Sequence, residues 1–129
     1  MVNKRKYSFP KEERLSWKRH IDQVFGEGQS FVAFPLRVVY LPVESSLSAP
    51  VSMLVSVSKK RIKRAVGRNY IKRQVRETWR VRKYELADAL VARNQSMFLA
   101  FLYIDKKLHP FAEMEKAMAK VVKILRDKR

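Results

Sequence analysis

The chain has 129 residues, enough for one domain with a single core, and its 47% hydrophobic content supports a folded protein. Against 12 Asp and Glu it carries 29 Lys and Arg, a formal charge of +17 that makes phosphate-rich polymers the natural class of partner. Cysteine is absent, which excludes disulfides, thiolate catalysis and cysteine-based zinc sites and fits a reducing compartment, so a cytoplasmic location is expected.

Residues 1–8 read as a basic, poorly ordered tail, without the apolar run of a secretory signal. A first helix is expected from about Pro10, which suits a first turn because its missing N–H would be unpaired there, with Glu12 and Glu13 at the positive end of the dipole. Leu15, Ile21, Val24 and Phe25 form its apolar stripe, Trp17 either packs at the margin or stands exposed for contact, and Gly26 and Gly28 end it. Two strand pieces follow, Gln29 to Phe34 and Leu36 to Leu41, broken at Pro35. The Pro- and Ser-rich run from Leu41 to Pro50 reads as a loop. From Val51 to Ser58 the pattern alternates, with Val51, Met53, Val55 and Val57 toward a core and Ser52, Leu54, Ser56 and Ser58 on a face open to close approach.

Between Lys59 and Lys83 the chain holds twelve Lys or Arg and a single acid, Glu77. Read as a helix from about Arg68, this stretch stacks Ile71, Val75 and Trp79 at i, i+4 and i+8. Arg68, Asn69, Lys72, Arg73, Arg76, Arg80 and Lys83 fall within an arc of about 140° beside that seam. A helix built for solubility alone would intersperse acids for i,i+4 pairing. Here such pairing is nearly missing, and a polyanion would relieve the self-repulsion.

The helix is expected to continue or re-form through Ala92, with Asn94 as its stop. Met97 to Ile104, apolar throughout, reads as a strand buried on both faces. Asp105 to His109 turns the chain, and Pro110 opens a last helix in which Phe111, Met114, Met118, Val121, Val122 and Leu125 share a face. The sum is a mixed α+β domain over residues 1–129.

Catalytic patterns are missing from the sequence. His20 and His109 sit in different elements and read as a helix-surface residue and a turn residue. With three glycines, no phosphate-cradling loop can be written, and no carboxylate cluster suggests a two-metal site. No metal ligands are assigned, and any reaction on nucleic acid is expected to be carried out by another molecule.

The order Ser56-Val57-Ser58-Lys59-Lys60, a basic spacer, Ala65-Val66, Arg68-Asn69, Lys72-Arg73 and Arg76-Glu77 resembles the signature of the bacterial ribonuclease P protein component. The opening Pro10-Lys11-Glu12-Glu13-Arg14-Leu15, the segment Gln23 to Gly28 and Phe34-Pro35-Leu36 resemble that family as well, so the likeness covers most of the chain. It implies an α-β-β-β-α-β-α sandwich with a small mixed sheet and a left-handed crossover, a fold type shared with one domain of a small-subunit ribosomal protein; general rules alone favour the right-handed connection. It implies a partnership with a catalytic RNA that, with Mg²⁺ held through the RNA, removes the 5′ leader of precursor tRNA. Carried over by position, the RNA contacts are Lys59, Lys60, Arg64, Arg68, Asn69, Lys72, Arg73 and Arg76. The leader cleft takes Ile21, Phe25, Val39, Tyr40, Ser56 and Ser58, with Phe25 as the stacking platform.

The chain departs from the family in three places. The spacer Arg61-Ile62-Lys63-Arg64 is one residue longer than in many members, Ile21 stands where an aromatic is common, and Tyr70 replaces an Arg found in some. Two other functions fit the basic helix: an RNA-binding ribosomal or chaperone-like protein with no role in tRNA processing, and a DNA-binding module. Against the second, Val75 and Trp79 tie the helix into a core near its basic edge, and no helix precedes it at helix-turn-helix distance.

Overall fold

The computed structural model describes residues 15, 18–44 and 50–128; the expected basic tail, the helix start at Pro10, Trp17 and the middle of the 41–50 loop lie outside the described residues. The elements run α1 (Lys18–Glu27), β1 (Gln29–Ala33), β2 (Leu36–Glu44), β3 (Val51–Ser56), α2 (Ala65–Ala92), β4 (Gln95–Tyr103) and α3 (Phe111–Asp127). This is the expected mixed α+β order, with a four-stranded sheet in the sequence β1-β2-β4-β3.

Strands β1 and β2 form an antiparallel hairpin across the cis Phe34–Pro35 bond, β2 pairs antiparallel with β4, and β3 pairs parallel with β4. Parallel neighbours cannot be joined by a tight turn, so α2 is the crossover between β3 and β4. β2 extends past Leu41 to Glu44, because residues 41–44 find a complete ladder partner in Ser96, Met97 and their neighbours on β4, and the local Pro and Ser content does not outweigh it. Central β4 is buried along nearly its whole length, which explains the unbroken apolar run.

The sheet has two differently built faces. On one, Leu36, Val38, Tyr40, Val51, Met53, Met97, Leu99 and Phe101 meet Ile71, Val75, Trp79, Leu86 and Leu90 of α2 and Met114, Met118, Val121, Val122 and Leu125 of α3. The rings of Trp79 and Phe101 lie 5.9 Å apart at the centre of this layer. On the other face a smaller cluster joins Leu15, Val24, Val39, Phe98 and Ala100, with Ile21, Leu41, Leu54 and Leu102 packed on it. His20 is part of this second layer, stacked on Phe98 at 4.7 Å, and is therefore not the helix-surface residue expected.

Helix α2 runs unbroken for 28 residues and begins at Ala65, three residues before the expected start. It ends with Asn94 at φ 56, the left-handed conformation that asparagine tolerates better than most residues, as the expected stop. Arg93 then ties the helix ends together, its guanidinium donating to the carbonyls of Lys128 and Arg126. Among the described residues no helix is long and apolar enough to cross a membrane.

Candidate nucleic-acid interface

The basic connection between β3 and α2 is held by Ile62, its one apolar residue beyond Ser58. Ser58 turns the chain, its carbonyl accepting from the N–H groups of Arg61 and Ile62 and its Oγ from Arg61 N at 3.2 Å. Ile62 then inserts into the main core and is 8% exposed. Gly67 makes the room, since a Cβ there would lie 2.8 Å from Ile62 Cγ2. Arg68 completes the arrangement: one guanidinium nitrogen donates to the carbonyls of Ile62 at 3.0 Å and Lys63 at 2.7 Å. The longer spacer is thus a closed turn with a pin inside it.

Lys59, Lys60, Arg64, Asn69, Arg73 and Arg76 are exposed, and Arg68 and Lys72 are half-buried on the flank of α2 nearest the connection. Among the described residues no carboxylate pairs with Arg73 or Arg76. The nearest acid, Glu77, is taken by Arg80 at 2.5 Å, and that hydrogen bond holds its carboxyl below the usual range and raises Arg80. The result is a cationic ridge whose charge is largely uncompensated along its first three turns.

Lys83 does not belong to that ridge. It is 4% exposed, with Nζ 5.3 Å from the centroid of the Tyr84 ring. About three turns beyond Lys72 the same flank faces Pro50 and Val51 at the start of β3, which line a small cavity with Trp79 and Lys83. A single helical wheel assumes one buried direction for the whole helix, and this direction turns along α2.

On the α1 face of the sheet, ladder pairing sets Val32, Arg37, Leu102 and Ser56 in one row across all four strands. Val32, Arg37 and Ser56 are exposed, and this row lies at the end of the sheet from which the basic connection leaves. Ile21 packs against the adjoining cluster and Val39 is part of it, while Phe25, 47% exposed, stays largely outside the core. Tyr40 is a correction: it points to the opposite face, its OH donating to Gln29 Oε1 at 2.8 Å and Lys128 Nζ lying 5.6 Å from its ring centroid. Period-two alternation allows only one of Val39 and Tyr40 on the α1 side, and it is Val39. Ser58 lies beyond the end of β3 and shapes the turn instead of extending the strand face. Arg37, the one cation in the row, had no motif to single it out.

Sequence reasoning also missed a buried polar joint behind the ridge. Gln74, 4% exposed, donates from Nε2 to the carbonyl of His109 at 2.9 Å. The His109 ring is held on both nitrogens, by Asp105 at 2.5 Å and by Glu113. The Glu113 bond is the larger reason that His109 is raised above its ordinary value, and the His109 bond holds Asp105 below its own. Burial pushes the neighbouring Tyr103 hydroxyl up to about 12. The signal was present as acids four residues on either side of a histidine, yet it says nothing until the turn brings all three together. Among the described residues, no group of three or more His, Cys, Asp or Glu is placed to hold a metal ion.

Comparison with known proteins places this geometry. Residues 9–126 match the family model for ribonuclease P. A ribonuclease P protein component of Porphyromonas gingivalis is 44% identical over 120 residues, covering 93% of this chain and 88% of that one. One from Chlorobaculum tepidum is 34% identical over 110 residues, covering 80% and 71%. Among solved structures, the ribonuclease P protein of Staphylococcus aureus superposes with a TM-score of 0.67 at 21% identity, covering 87% of this chain and 94% of that one. That of Thermotoga maritima gives 0.67 at 20% identity, covering 87% and 96%. The fold that carries the ridge is therefore that of a known group: this chain belongs to the bacterial ribonuclease P protein component family, protein subunits of an endoribonuclease.

Proposed function

We propose that the protein grips the catalytic RNA of ribonuclease P with the α2 ridge and receives the single-stranded 5′ leader of precursor tRNA on the α1 face of the sheet. The cleavage of the leader phosphodiester is then carried out in the bacterial cytoplasm by the RNA and the Mg²⁺ it holds. The observation that carries this reading is the division of α2. Ile71, Val75 and Trp79 anchor one side in the core, while Asn69, Arg73 and Arg76 stand in water and, among the described residues, neither arginine forms an ion pair with a carboxylate. Guanidinium groups so placed bridge phosphates, and Asn69 reaches ribose or base edges. Lys59, Lys60, Arg64, Arg68 and Lys72 extend the cationic surface toward the sheet, and Arg68 also closes the turn.

For the leader, the exposed ring of Phe25 offers a stacking surface, Ile21 and Val39 supply an apolar floor, and Ser56 leaves the end of the row open to backbone approach. Arg37 adds a cation to the same row. The test is reconstitution: the protein is added to a bacterial ribonuclease P RNA at low Mg²⁺ and precursor-tRNA cleavage is followed. Stimulation of cleavage is expected, with affinity for the RNA falling steeply as salt rises. Tight RNA binding with no change in leader removal would instead identify a protein that binds RNA and takes no part in processing.

A further inference from the structure

The seam between the start of α2 and the start of α3 carries a surface strip that neither the ridge nor the sheet face uses. Val66 and Tyr70, four residues apart and so one above the other on α2, are 80% and 43% exposed. Tyr70 lies between Gly67 and Gln74 on one flank of the helix, and both of those meet the connection from β4 to α3. A Cβ on Gly67 would lie 3.9 Å from Leu108 Cδ2, and Gln74 donates to the His109 carbonyl at 2.9 Å. The connection therefore runs along the flank of α2 that Gly67 and Gln74 mark, the side on which Tyr70 lies, and carries Leu108 and Phe111, 51% and 41% exposed. Four large apolar side chains in one neighbourhood exceed the scatter of single hydrophobics normal on a surface.

The charge bordering the strip selects its occupant. Lys106 and Lys107 are exposed beside Leu108, and among the described residues no carboxylate pairs with either. The three acids nearby are already engaged, Glu77 with Arg80 and both Asp105 and Glu113 with His109. An apolar protein partner would cover the strip and leave two lysines uncompensated. An unpaired stretch of nucleic acid satisfies both, with a base lying on an aromatic ring and its phosphates meeting the ammonium groups.

We propose that Val66, Tyr70, Leu108 and Phe111, with Lys106 and Lys107, form a second RNA-docking surface that takes unpaired bases of the partner RNA on the α3 flank of α2, away from the leader face. The assignment rests on the reading that the α2 ridge binds RNA, and the experiment separates the two. Affinity for a bacterial ribonuclease P RNA is measured for the wild type, Tyr70→Ser, Tyr70→Phe, the double variants Leu108→Ser/Phe111→Ser and Lys106→Gln/Lys107→Gln, and Arg73→Ala as the ridge control. Urea unfolding confirms that each variant folds, and dimethyl sulfate probing reads which bases are shielded.

Tyr70→Ser should bind about tenfold more weakly while Tyr70→Phe, which keeps the ring, binds as the wild type. The lysine pair should lower the slope of affinity against salt by about 1 to 2. Bases shielded by the wild type should regain reactivity with the Ser variants and stay shielded with Arg73→Ala. If the strip variants keep wild-type affinity and protection while Arg73→Ala binds weakly, the strip is refuted and the ridge stands. Loss with the strip variants beside a neutral Arg73→Ala supports the strip and removes Arg73, not the ridge as a whole, from the RNA contacts. No binding by the wild type removes both. A change in sedimentation of the free protein with RNA affinity unchanged overturns the proposal in favour of a second copy of the chain as occupant.

Discussion

Arg68 is the residue of the ridge whose removal should differ in kind from the rest. Its guanidinium donates to the Ile62 and Lys63 carbonyls, so it holds the turn that carries Ile62 into the core as well as adding charge. Hydrogen bonds from a charged donor contribute about 1.5–3 kcal/mol each when well buried, and one of these is exposed and the other half-buried, so the pair is worth about 1–2 kcal/mol. For Arg68→Ala this predicts a urea midpoint lower by about 0.5–1 M, at a slope of about 2 kcal/mol per M for a chain of this size. Arg73→Ala, which removes an exposed side chain with no such bonds, should shift the midpoint by no more than the ~0.5 kcal/mol typical of surface changes. Arg68→Lys should recover little, because an ammonium on a flexible stem does not reproduce the planar fork. Both alanine variants should bind RNA more weakly. Equal urea midpoints for Arg68→Ala and Arg73→Ala would refute the role of Arg68 as a clasp, whatever happened to RNA affinity.

The other expectations come from the core, the joint and the ridge. Trp79→Ala removes a side chain 1% exposed against Phe101 and should cost about 3–5 kcal/mol, enough to unfold a large fraction of the protein in a thermal melt. His109 is faced by Asp105, Glu113 and the Tyr103 ring, and because it is raised above 6.5, its contribution is whole below that pH and is lost as pH climbs through the raised value. Asp105, lowered from 3.8, contributes above that pH and loses its share as pH falls through the lowered value. The stability advantage of the wild type over His109→Gln should therefore be larger at about pH 5.5 than at about pH 9; the reverse order in urea midpoints would overturn the joint. Arg73→Ala/Arg76→Ala should reduce the slope of log affinity against log salt by about 1.4–1.8, since two phosphate contacts are lost; an unchanged slope would show that neither arginine touches phosphate.

The sequence by itself determined the order of elements, the alternation that sends Val51 and Met53 one way and Ser56 the other, and the seam of Ile71, Val75 and Trp79 beside a cationic arc. These are legible because local periodicity reports which side of an element meets the core. The tertiary structure alone decided which face of β2 lies under α1, and so that Val39 and not Tyr40 borders the open row. It decided that Lys83 is buried at a cavity it shares with the start of β3, that Ile62 closes the basic turn, and that Gln74 meets His109 across 35 residues of chain. Each of these depends on which distant segment arrives, and a pattern of spacings along one element carries no record of its neighbours in space. The ridge could be read because like charges on one helix face are a local fact; the clasp beneath it could not, because the carbonyls that hold Arg68 become available only once the chain has turned.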